Sequence, residues 1–264
     1  MSIRILLSGA LGHMGRAVAE QAASLNSRKS AEDGERCEIV CGVDSFAGKV
    51  GSEAGFPVYA NFKSVPADIE ADVIIDFSHF SLTRSLLEFA RSRKLPLVLC
   101  TTAVSKADLS LAEAVSCEIP VFRSANMSVG IALLKKLARE SELFLGGDFD
   151  VEIVEKHHGR KLDAPSGTAL ALADAVSEAR GEPFEYVFDR SSRREKRGAN
   201  ELGISAVRGG NIVGDHCVMF IGENEIIELS HSATSRSVFA DGSLKAASFI
   251  IGKKPGMYGM DDMV

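Results

Sequence analysis

Short apolar segments alternate with amphipathic segments through the first half of the chain. The first apolar segment, residues 3–8, ends at a glycine and gives way to a helical pattern over residues 12–25. Further apolar segments are residues 38–43, 71–77, 95–101 and 119–124, and further helical patterns are residues 81–91 and 105–115. Segments that are apolar at nearly every position are typical of strands buried on both faces. The alternation predicts a parallel, doubly wound α/β sheet whose ligands bind beyond the carboxyl ends of the strands.

The pattern changes after about residue 126. A helix is predicted at residues 131–144, a strand ends at His157, and another helix begins near Ser166. Longer strands are predicted at residues 204–208, 216–221 and 225–232. The turn residues Gly222, Glu223 and Asn224 join the last two strands, which predicts an antiparallel hairpin.

Two domains follow from this change of pattern. A last helical pattern at residues 242–251 is assigned to the first domain. We therefore predict a Rossmann-like dinucleotide-binding domain formed by residues 1–127 and 237–264. Residues 128–236 are predicted to form a second α+β domain with a mixed or antiparallel sheet, for substrate binding and oligomerisation. The polar segment 27–35 is predicted to be a solvated loop.

Composition and charge exclude several classes of protein. With 45% hydrophobic and 25% charged residues among 264, the chain is neither disordered nor collagen-like. It has no apolar run of the ~20 residues that cross a bilayer and no signal-peptide pattern, so we expect a cytoplasmic protein without a membrane partner. The net charge of −6 argues against nucleic acid, and an anionic ligand then needs a local cationic site.

The cysteines indicate neither disulfides nor a metal site. The chain has five, an odd number, and no CxxC motif. We expect free and mostly buried thiols, and no metal.

A glycine-rich turn follows the first predicted strand. Gly9, Gly12 and Gly15 are spaced GxxGxxG and lead directly into a predicted helix. Residues without Cβ allow a tight turn and close approach of a pyrophosphate to the helix N-terminus. The turn therefore predicts dinucleotide binding, although a turn that serves only packing has the same pattern.

An acidic residue suited to a ribose lies at the end of the second strand. Asp44 can accept hydrogen bonds from the adenosine ribose hydroxyls. No arginine follows it directly, and Arg16 and Lys49 are the cations nearest in sequence for a 2′-phosphate. The cofactor is therefore predicted to be NADH or NADPH.

Residues 155–168 (EKHHGRKLDAPSGT) concentrate groups that bind anions and transfer protons. Ser166 is predicted to cap a helix, so that the backbone N–H groups of residues 166–168 face an anion, with Lys161 nearby. A carboxylate is the predicted guest. An imidazole in this segment can donate a proton at neutral pH, and Lys161 can stabilise developing negative charge.

Two other interpretations of this segment are less favourable. Zinc binding by His157 and His158 is disfavoured, because adjacent residues on an extended chain point to opposite sides and no thiol or carboxylate pattern completes the site. A solvated basic loop is disfavoured by the helix cap directly downstream. The segment and the glycine turn together predict a reductase that acts on a small carboxylated molecule.

The same segment, read as EKHHGRKLDAPSGTA, resembles the signature of the 4-hydroxy-tetrahydrodipicolinate reductase family, also called dihydrodipicolinate reductases. The similarity extends along the chain. It includes the GxxGxxG turn, DFS at residues 76–78, the threonine pair 101–102, SANMSVG at residues 124–130 and the closing segment HSATSRSVFADGSLKAA. Members of this family act in lysine and diaminopimelate biosynthesis.

The resemblance implies roles for individual residues. Contacts to NADH or NADPH are implied for Gly9, Ala10, Leu11, Gly12, His13, Met14, Asp44, Cys100, Thr101, Thr102, Ser124, Ala125, Asn126 and Met127. His157 would donate the proton and Lys161 would assist it. Substrate contacts are implied for His158, Ser166, Gly167 and Thr168.

The resemblance also implies the reaction and the assembly. A hydroxylated tetrahydropyridine dicarboxylate would be reduced to tetrahydrodipicolinate with loss of water, by a homotetramer built through the sheet of the second domain. The chain departs from the family where GTTG is common, because Cys100 and Ala103 replace the two glycines. We expect a less tight turn there.

Two alternative functions use the same predicted fold. A relative of semialdehyde or homoserine dehydrogenases is one, but an acyl-transfer enzyme needs a cysteine nucleophile, and the cysteines here lie in apolar strand or helix patterns. A cofactor-binding sensor without turnover is the other. The presence of His157, Lys161 and the Ser166 cap together favours the reductase.

Overall fold

The computed structural model describes residues 2–28, 36–48, 54–191 and 193–264. The chain divides into two compact units. The first comprises Met1–Ser128 and Arg236–Val264, and the second comprises Val129–Ser235. Each junction lies one residue from the predicted domain bounds.

Within the described residues of the first unit, seven strands form one sheet. They are β1 (Ser2–Ser8), β2 (Arg36–Val43), β3 (Val58–Tyr59), β4 (Val73–Asp76), β5 (Leu97–Leu99), β6 (Pro120–Arg123) and β12 (Gly256–Tyr258). Their order is β12-β6-β5-β4-β1-β2-β3, and every neighbouring pair is parallel. The predicted doubly wound parallel sheet is confirmed. The strand order reverses at β1, because β2 and β3 lie on one side of it and β4 lies on the other. Sheets of this kind bind ligands at such a reversal, beyond the carboxyl ends of the strands.

Four helices accompany this sheet in the described part of the unit. They are α1 (His13–Arg28), α2 (Thr83–Arg93), α3 (Lys106–Ser116) and α6 (Ser237–Ile250). Leu6, Ile74 and Leu99 from the strands pack with Leu86 and Leu87 of α2, and all five side chains are at most 1% exposed. This apolar layer fixes the strands whose carboxyl ends carry the loops described below.

Helix α1 extends further than predicted. Ser27 and Arg28 are helical, so the prediction of a loop over residues 27–35 is wrong at its first two positions, and residues 29–35 lie outside the described residues. The side chain of Asn26 accounts for the extension. It exchanges two hydrogen bonds with the backbone of Cys37, at 2.6 and 3.0 Å, and thereby ties the last turn of α1 to β2.

The second unit contains a mixed sheet of five strands within residues 129–191 and 193–235. They are β7 (Asp150–His157), β8 (Glu185–Val187), β9 (Glu201–Arg208), β10 (Gly214–Ile221) and β11 (Ile226–Ala233), in the order β11-β10-β7-β9-β8. The predicted hairpin of β10 and β11 is antiparallel, as is the pair of β7 and β10, whereas β7, β9 and β8 are parallel to one another. The prediction of a second domain with a mixed sheet is confirmed.

Two helices, α4 (Val129–Leu145) and α5 (Gly167–Arg180), share a core with this sheet. Side chains at alternate positions of β7 and β10, among them Val151, Ile153, Val218 and Phe220, are completely buried in that core. The intervening residues remain partly exposed on the opposite face. None of the helices in the described residues is both long enough and apolar enough to span a membrane.

Candidate active site

The glycine turn after β1 has a backbone that excludes larger residues. Gly9 has a φ of +76°, and a Cβ there would lie 2.6 Å from the carbonyl oxygen of Phe77. A Cβ at Gly15 would collide with the carbonyl oxygen of Gly9. The first turn of α1 therefore approaches the end of β1 more closely than side chains would permit, and this leaves a cradle for a pyrophosphate at the helix N-terminus.

Asp44 lies beside this turn. It is 7% exposed, and its carboxylate accepts hydrogen bonds from the backbone N–H groups of Leu11 and Phe46, each at 3.0 Å. Asp44, the residue predicted to bind the ribose, therefore lies next to the turn predicted to bind the pyrophosphate. Arg16 donates through Nε to the carbonyl of Leu11 at 3.1 Å, whereas Lys49 lies outside the described residues.

A buried carboxyl group supports the next loops along the sheet edge. Asp76, at the end of β4, is completely buried. Its oxygens lie 2.5 Å from Oγ1 of Thr101 and 3.1 Å from the N–H of Ser78. Burial raises the pKa of Asp76, although the hydrogen bonds from Ser78 and Thr101 oppose the increase. Sequence reasoning gave Asp76 no role of its own, but it connects the turn after β4 with the predicted cofactor loop.

The replaced glycines, Cys100 and Ala103, behave differently from each other. Ala103 has a φ of +56°, so it keeps the left-handed conformation that glycine favours. Cys100 is 5% exposed, and burial raises the pKa of its thiol well above the ordinary value. A thiol that remains neutral is a poor nucleophile, which argues against acyl transfer at this position.

The turn after β6 is also fixed by local contacts. The hydroxyl of Ser124 donates to the carbonyl of Asn126 at 2.6 Å and accepts from its N–H at 3.2 Å. Met127 is 2% exposed, and Gly242 of α6 packs so closely that a Cβ there would collide with the Met127 carbonyl. The fourteen predicted cofactor residues thus follow the carboxyl ends of β1, β2, β5 and β6, on one edge of one sheet.

In the second unit, His157 lies at the end of β7 and is 9% exposed. Its Nδ1 is 2.6 Å from Oε2 of Glu155, which is completely buried. Arg208 of β9 donates to both oxygens of that carboxylate, at 2.7 and 2.6 Å. The backbone N–H of Ser166 also donates to it, at 2.9 Å.

These contacts fix the charge of the carboxylate. Burial alone would raise the pKa of Glu155, but hydrogen bonds from Arg208, His157 and Ser166 hold it below its usual range. Glu155 is therefore ionised at neutral pH.

A second buried imidazole stands beside His157. The ring of His216 on β10 contacts His157 edge to face, with ring centroids 5.2 Å apart, and its Nε2 lies 3.1 Å from Oγ of Ser166. Burial, followed by the neighbouring His157, lowers the pKa of His216 to about 4. His216 is therefore a neutral neighbour and no source of protons near pH 7.

Sequence reasoning assigned no role to Glu155, Arg208 or His216. A signal existed only for Glu155, because residues two apart on a strand share a face. Arg208 and His216 come from other strands.

The N-terminus of α5 has the predicted cap. Oγ of Ser166 accepts from the N–H of Ala169 at 3.1 Å. Gly167 and Thr168 form the first turn, and apart from the chain neighbours and the backbone of α5 itself, no heavy atom of the described residues lies within 4 Å of the position that a Cβ would take at Gly167. The preceding peptide bond, between Ala164 and Pro165, is cis. The helix thus offers backbone N–H groups and open space to an anion.

Lys161 and His158 lie in the loop that leads to this helix. Nζ of Lys161 is 2.8 Å from a carboxylate oxygen of Asp163, and the lysine side chain is 22% exposed. His158 is half-buried, and its carbonyl accepts from the N–H of Lys161 at 3.1 Å. The described residues contain no group of three or more histidine, cysteine, aspartate or glutamate side chains that could hold a metal ion.

Two family models together match nearly the whole chain. The model described as "Dihydrodipicolinate reductase, N-terminus" matches residues 3–127, and "Dihydrodipicolinate reductase, C-terminus" matches residues 130–264. A 4-hydroxy-tetrahydrodipicolinate reductase from Caldanaerobacter subterraneus subsp. tengcongensis is 49% identical, over 100% of this chain and 99% of the relative. One from Clostridium tetani is 47% identical, over 100% of this chain and 98% of the relative.

Solved structures share the fold. A dihydrodipicolinate reductase from Paenisporosarcina sp. TG-14 with bound dipicolinate superposes with a TM-score of 0.80 at 24% identity, over 100% of both chains. A probable dehydrogenase from Thermotoga maritima has a TM-score of 0.60 at 13% identity, over 97% of this chain and 91% of the other.

Proposed function

The chain belongs to the dihydrodipicolinate reductase family, and from this membership and the site geometry we propose how its residues perform the family's reaction. It is a 4-hydroxy-tetrahydrodipicolinate reductase of lysine biosynthesis that uses NADH or NADPH. The reaction takes a hydride from the cofactor and one proton, releases water, and yields tetrahydrodipicolinate. The observation that carries the assignment is the pairing of His157 with buried Glu155, directly beside the capped N-terminus of α5.

The substrate dicarboxylate is proposed to bind at the N-terminus of α5. The backbone N–H groups of Gly167 and Thr168 donate hydrogen bonds to one carboxylate, and the Ser166 side chain keeps this turn in place by accepting from the N–H of Ala169. His158 and Lys161 lie in the preceding loop, and Lys161 supplies positive charge to the site. The dipicolinate bound to the Paenisporosarcina protein supports this chemistry, because it carries two carboxylates on a six-membered nitrogen ring, as the tetrahydropyridine substrate does.

His157 is proposed as the proton donor. Its Nδ1 faces Glu155, which leaves Nε2 for proton exchange with substrate. Gly214 lies next to that atom, and a Cβ there would come within 3.1 Å of Nε2. The absence of a side chain at Gly214 keeps the edge of the imidazole open. Lys161 stabilises negative charge on the substrate while His157 delivers its proton.

The first unit is proposed to hold the nicotinamide dinucleotide, which supplies the hydride. The glycine turn 9–15 receives the pyrophosphate, and Asp44 accepts hydrogen bonds from the adenosine ribose. The loops at residues 100–102 and 124–127 hold the nicotinamide end. Gly9 and Gly15, where a Cβ would meet backbone atoms, are the structural support for this assignment.

The chain is proposed to assemble as a homotetramer through the open face of the second sheet. Val154, Cys217 and Met219 lie on this face, and each is only partly buried, in alternation with fully buried neighbours. Ile226 on the edge strand β11 is 61% exposed. Partly exposed apolar residues of this kind are typical of subunit interfaces. As a biosynthetic enzyme that uses a soluble cofactor, the protein is proposed to act in the cytoplasm.

The first test is NADH and NADPH oxidation by the purified chain with freshly generated 4-hydroxy-tetrahydrodipicolinate. The wild-type chain should turn over with at least one cofactor. His157→Gln should lower kcat by about 10² to 10⁴-fold, because the proton donor is lost, with cofactor affinity unchanged by titration calorimetry. His231→Gln, in the same sheet, is the matched control and should retain wild-type turnover. Equal kcat values for wild type and His157→Gln would remove His157 from the donor role.

A further inference from the structure

Glu155 is a buried charge to which the reaction as described assigns no step of its own. We propose that Glu155 is a positioning residue that fixes the tautomer of His157 and thereby makes Nε2 the atom that delivers the proton. The proposal rests on the proposed function. Glu155 itself does not touch the substrate.

The hydrogen bonds to the carboxylate specify its state. Among the described residues, four donors reach it. They are Nδ1 of His157, Nη1 and Nη2 of Arg208 and the backbone N–H of Ser166, at distances of 2.6 to 2.9 Å. Guanidinium and backbone N–H groups can only donate, so both oxygens already act as acceptors. An ionised carboxylate provides about four acceptor positions, so these four donors occupy all the positions that Glu155 offers.

The state of Glu155 then dictates the state of His157. An ionised carboxylate accepts and cannot donate, so the hydrogen between Glu155 and His157 belongs to Nδ1. In the neutral imidazole, Nε2 carries the lone pair, and in the protonated form it carries the transferable proton. Gly214 leaves space at Nε2. Glu155 thus keeps one ring nitrogen occupied and directs proton exchange to the other.

Arg208 keeps this arrangement intact while His157 changes charge. Its positive charge and two hydrogen bonds stabilise the negative charge of Glu155, so the carboxylate stays ionised whether or not His157 carries a proton. Among the described residues, His216 on β10 is a further titratable group whose ring contacts His157, and it is neutral near pH 7. Lys161 and Asp163, in the loop that follows β7, form an ion pair with each other. Glu155 is therefore the negative charge in direct contact with the imidazole.

The fourth contact joins the proton donor to the substrate site. Because the N–H of Ser166 donates to Glu155, the carboxylate holds both the imidazole and the first residue of the cap of α5. A displacement of Glu155 would move His157 relative to the helix turn proposed to hold the substrate carboxylate. One side chain thus sets both the tautomer and the spacing.

The test compares Glu155→Gln with Glu142→Gln. Glu142 is also buried, at 1% exposure, and pairs with Arg180 in the same unit. Loss of either carboxylate removes a buried ion pair, but only Glu155 contacts the imidazole. Glu155→Gln should lower kcat by about 10 to 10²-fold with KM for substrate within about threefold of wild type. Glu142→Gln should keep the wild-type kcat.

The pH profile separates positioning from general destabilisation. A proton donor must be protonated, so kcat falls as pH rises through its pKa. Removing the carboxylate destabilises the imidazolium, and in Glu155→Gln this fall should move to lower pH. Glu142→Gln should show the wild-type profile even if its melting temperature drops equally. A Glu155→Gln enzyme with wild-type kcat and an unshifted profile would overturn the proposal.

A measurement on the wild-type chain does not depend on turnover or on the folding of a variant. With nitrogen-15-labelled histidine, the NMR chemical shifts of His157 should show a proton on Nδ1 above the pH at which the ring becomes neutral. A neutral ring protonated at Nε2 would refute the role of Glu155, including the case in which Glu155→Gln fails to fold. Failure of the wild-type chain to oxidise either cofactor would instead refute the proposed function.

Discussion

At the scale of single residues, Ala103 has a left-handed backbone conformation that its Cβ makes unfavourable. The sequence predicted a less tight turn where Cys100 and Ala103 replace glycines, yet Ala103 has a φ of +56°. The loop thus keeps the left-handed residue and carries the strain of a Cβ there, which costs roughly 1–2 kcal/mol. The neighbouring contacts of Thr101 with Asp76 and Ser78 hold the loop, and the less tight turn expected there stays a prediction.

Ala103→Gly should therefore stabilise the chain. Relief of the strain exceeds the added entropy of the unfolded chain, and the free energy of unfolding should rise by about 0.5–1 kcal/mol in urea titrations. The matched substitution is Ala114→Gly, at an exposed position within α3, which should lower it by about 1 kcal/mol. Destabilisation by both substitutions would show that the left-handed conformation of Ala103 carries no strain.

The active-site residues differ in how far the sequence could identify them. His157, Lys161 and Ser166 lie in one segment, so their chemistry is visible in sequence. Arg208 on β9 lies opposite His157 on β7, and His216 on β10 lies opposite Glu155 on β7. These neighbours depend on the register between strands far apart in sequence, which periodicity does not fix.

At the scale of elements, the length of the apolar or alternating segment around an element decides whether the sequence could predict it. The long strands of the second unit and the helices with an apolar face were predicted, although their ends differ by a few residues. The short strands β3, β8 and β12 have two or three residues each. Such segments are too short to show a period of two, and they become strands only through pairing with a neighbour already in place.

The caps of α3 and α5 allow a matched test of local structure. Oγ of Ser105 and of Ser166 each accept a backbone N–H of the first turn at 3.1 Å. Ser105→Ala should lower the free energy of unfolding by about 1 kcal/mol, measured in urea. Ser166→Ala should lose more, because its hydroxyl is buried and also contacts His216.

Activity distinguishes the two caps. Ser166→Ala loosens the helix turn proposed to hold the substrate carboxylate, so KM for 4-hydroxy-tetrahydrodipicolinate should rise several-fold. Ser105→Ala should leave KM at the wild-type value. Identical KM values in steady-state kinetics of both variants would argue against substrate binding at α5.

At the scale of the whole molecule, the chain returns to its first unit after completing the second. Helix α6 packs with α1 and supplies Ala240, Ala246, Ala247 and Ile250 to the buried core of that unit. The sequence indicated this return through a helical pattern at residues 242–251, although α6 begins earlier, at Ser237. The earlier start places Gly242 in the interior of the helix and not at its first position, and its lack of a Cβ there admits the Met127 carbonyl.

The stability of the whole molecule should also depend on pH through one buried group in each unit. Asp76 has a raised pKa, so its contribution to stability is present at low pH and is lost as pH rises through that pKa. His216 acts in the opposite direction. Its pKa is about 4 in the folded chain against 6.5 for an ordinary histidine, so between these values the unfolded chain binds more protons.

His216 should therefore destabilise the folded chain as pH falls below about 6.5, until its own pKa is reached. At pH 5 the loss from this group amounts to about 2 kcal/mol, since each pKa unit corresponds to about 1.4 kcal/mol. His216→Gln keeps a group able to reach Oγ of Ser166 but does not titrate. The variant should lose about 2 kcal/mol less than wild type between about pH 7.5 and pH 5, measured by urea unfolding at each pH. The contribution of Asp76 is common to both chains and cancels in this difference. Parallel losses in the two chains would mean that His216 is protonated as readily in the folded state as in the unfolded state.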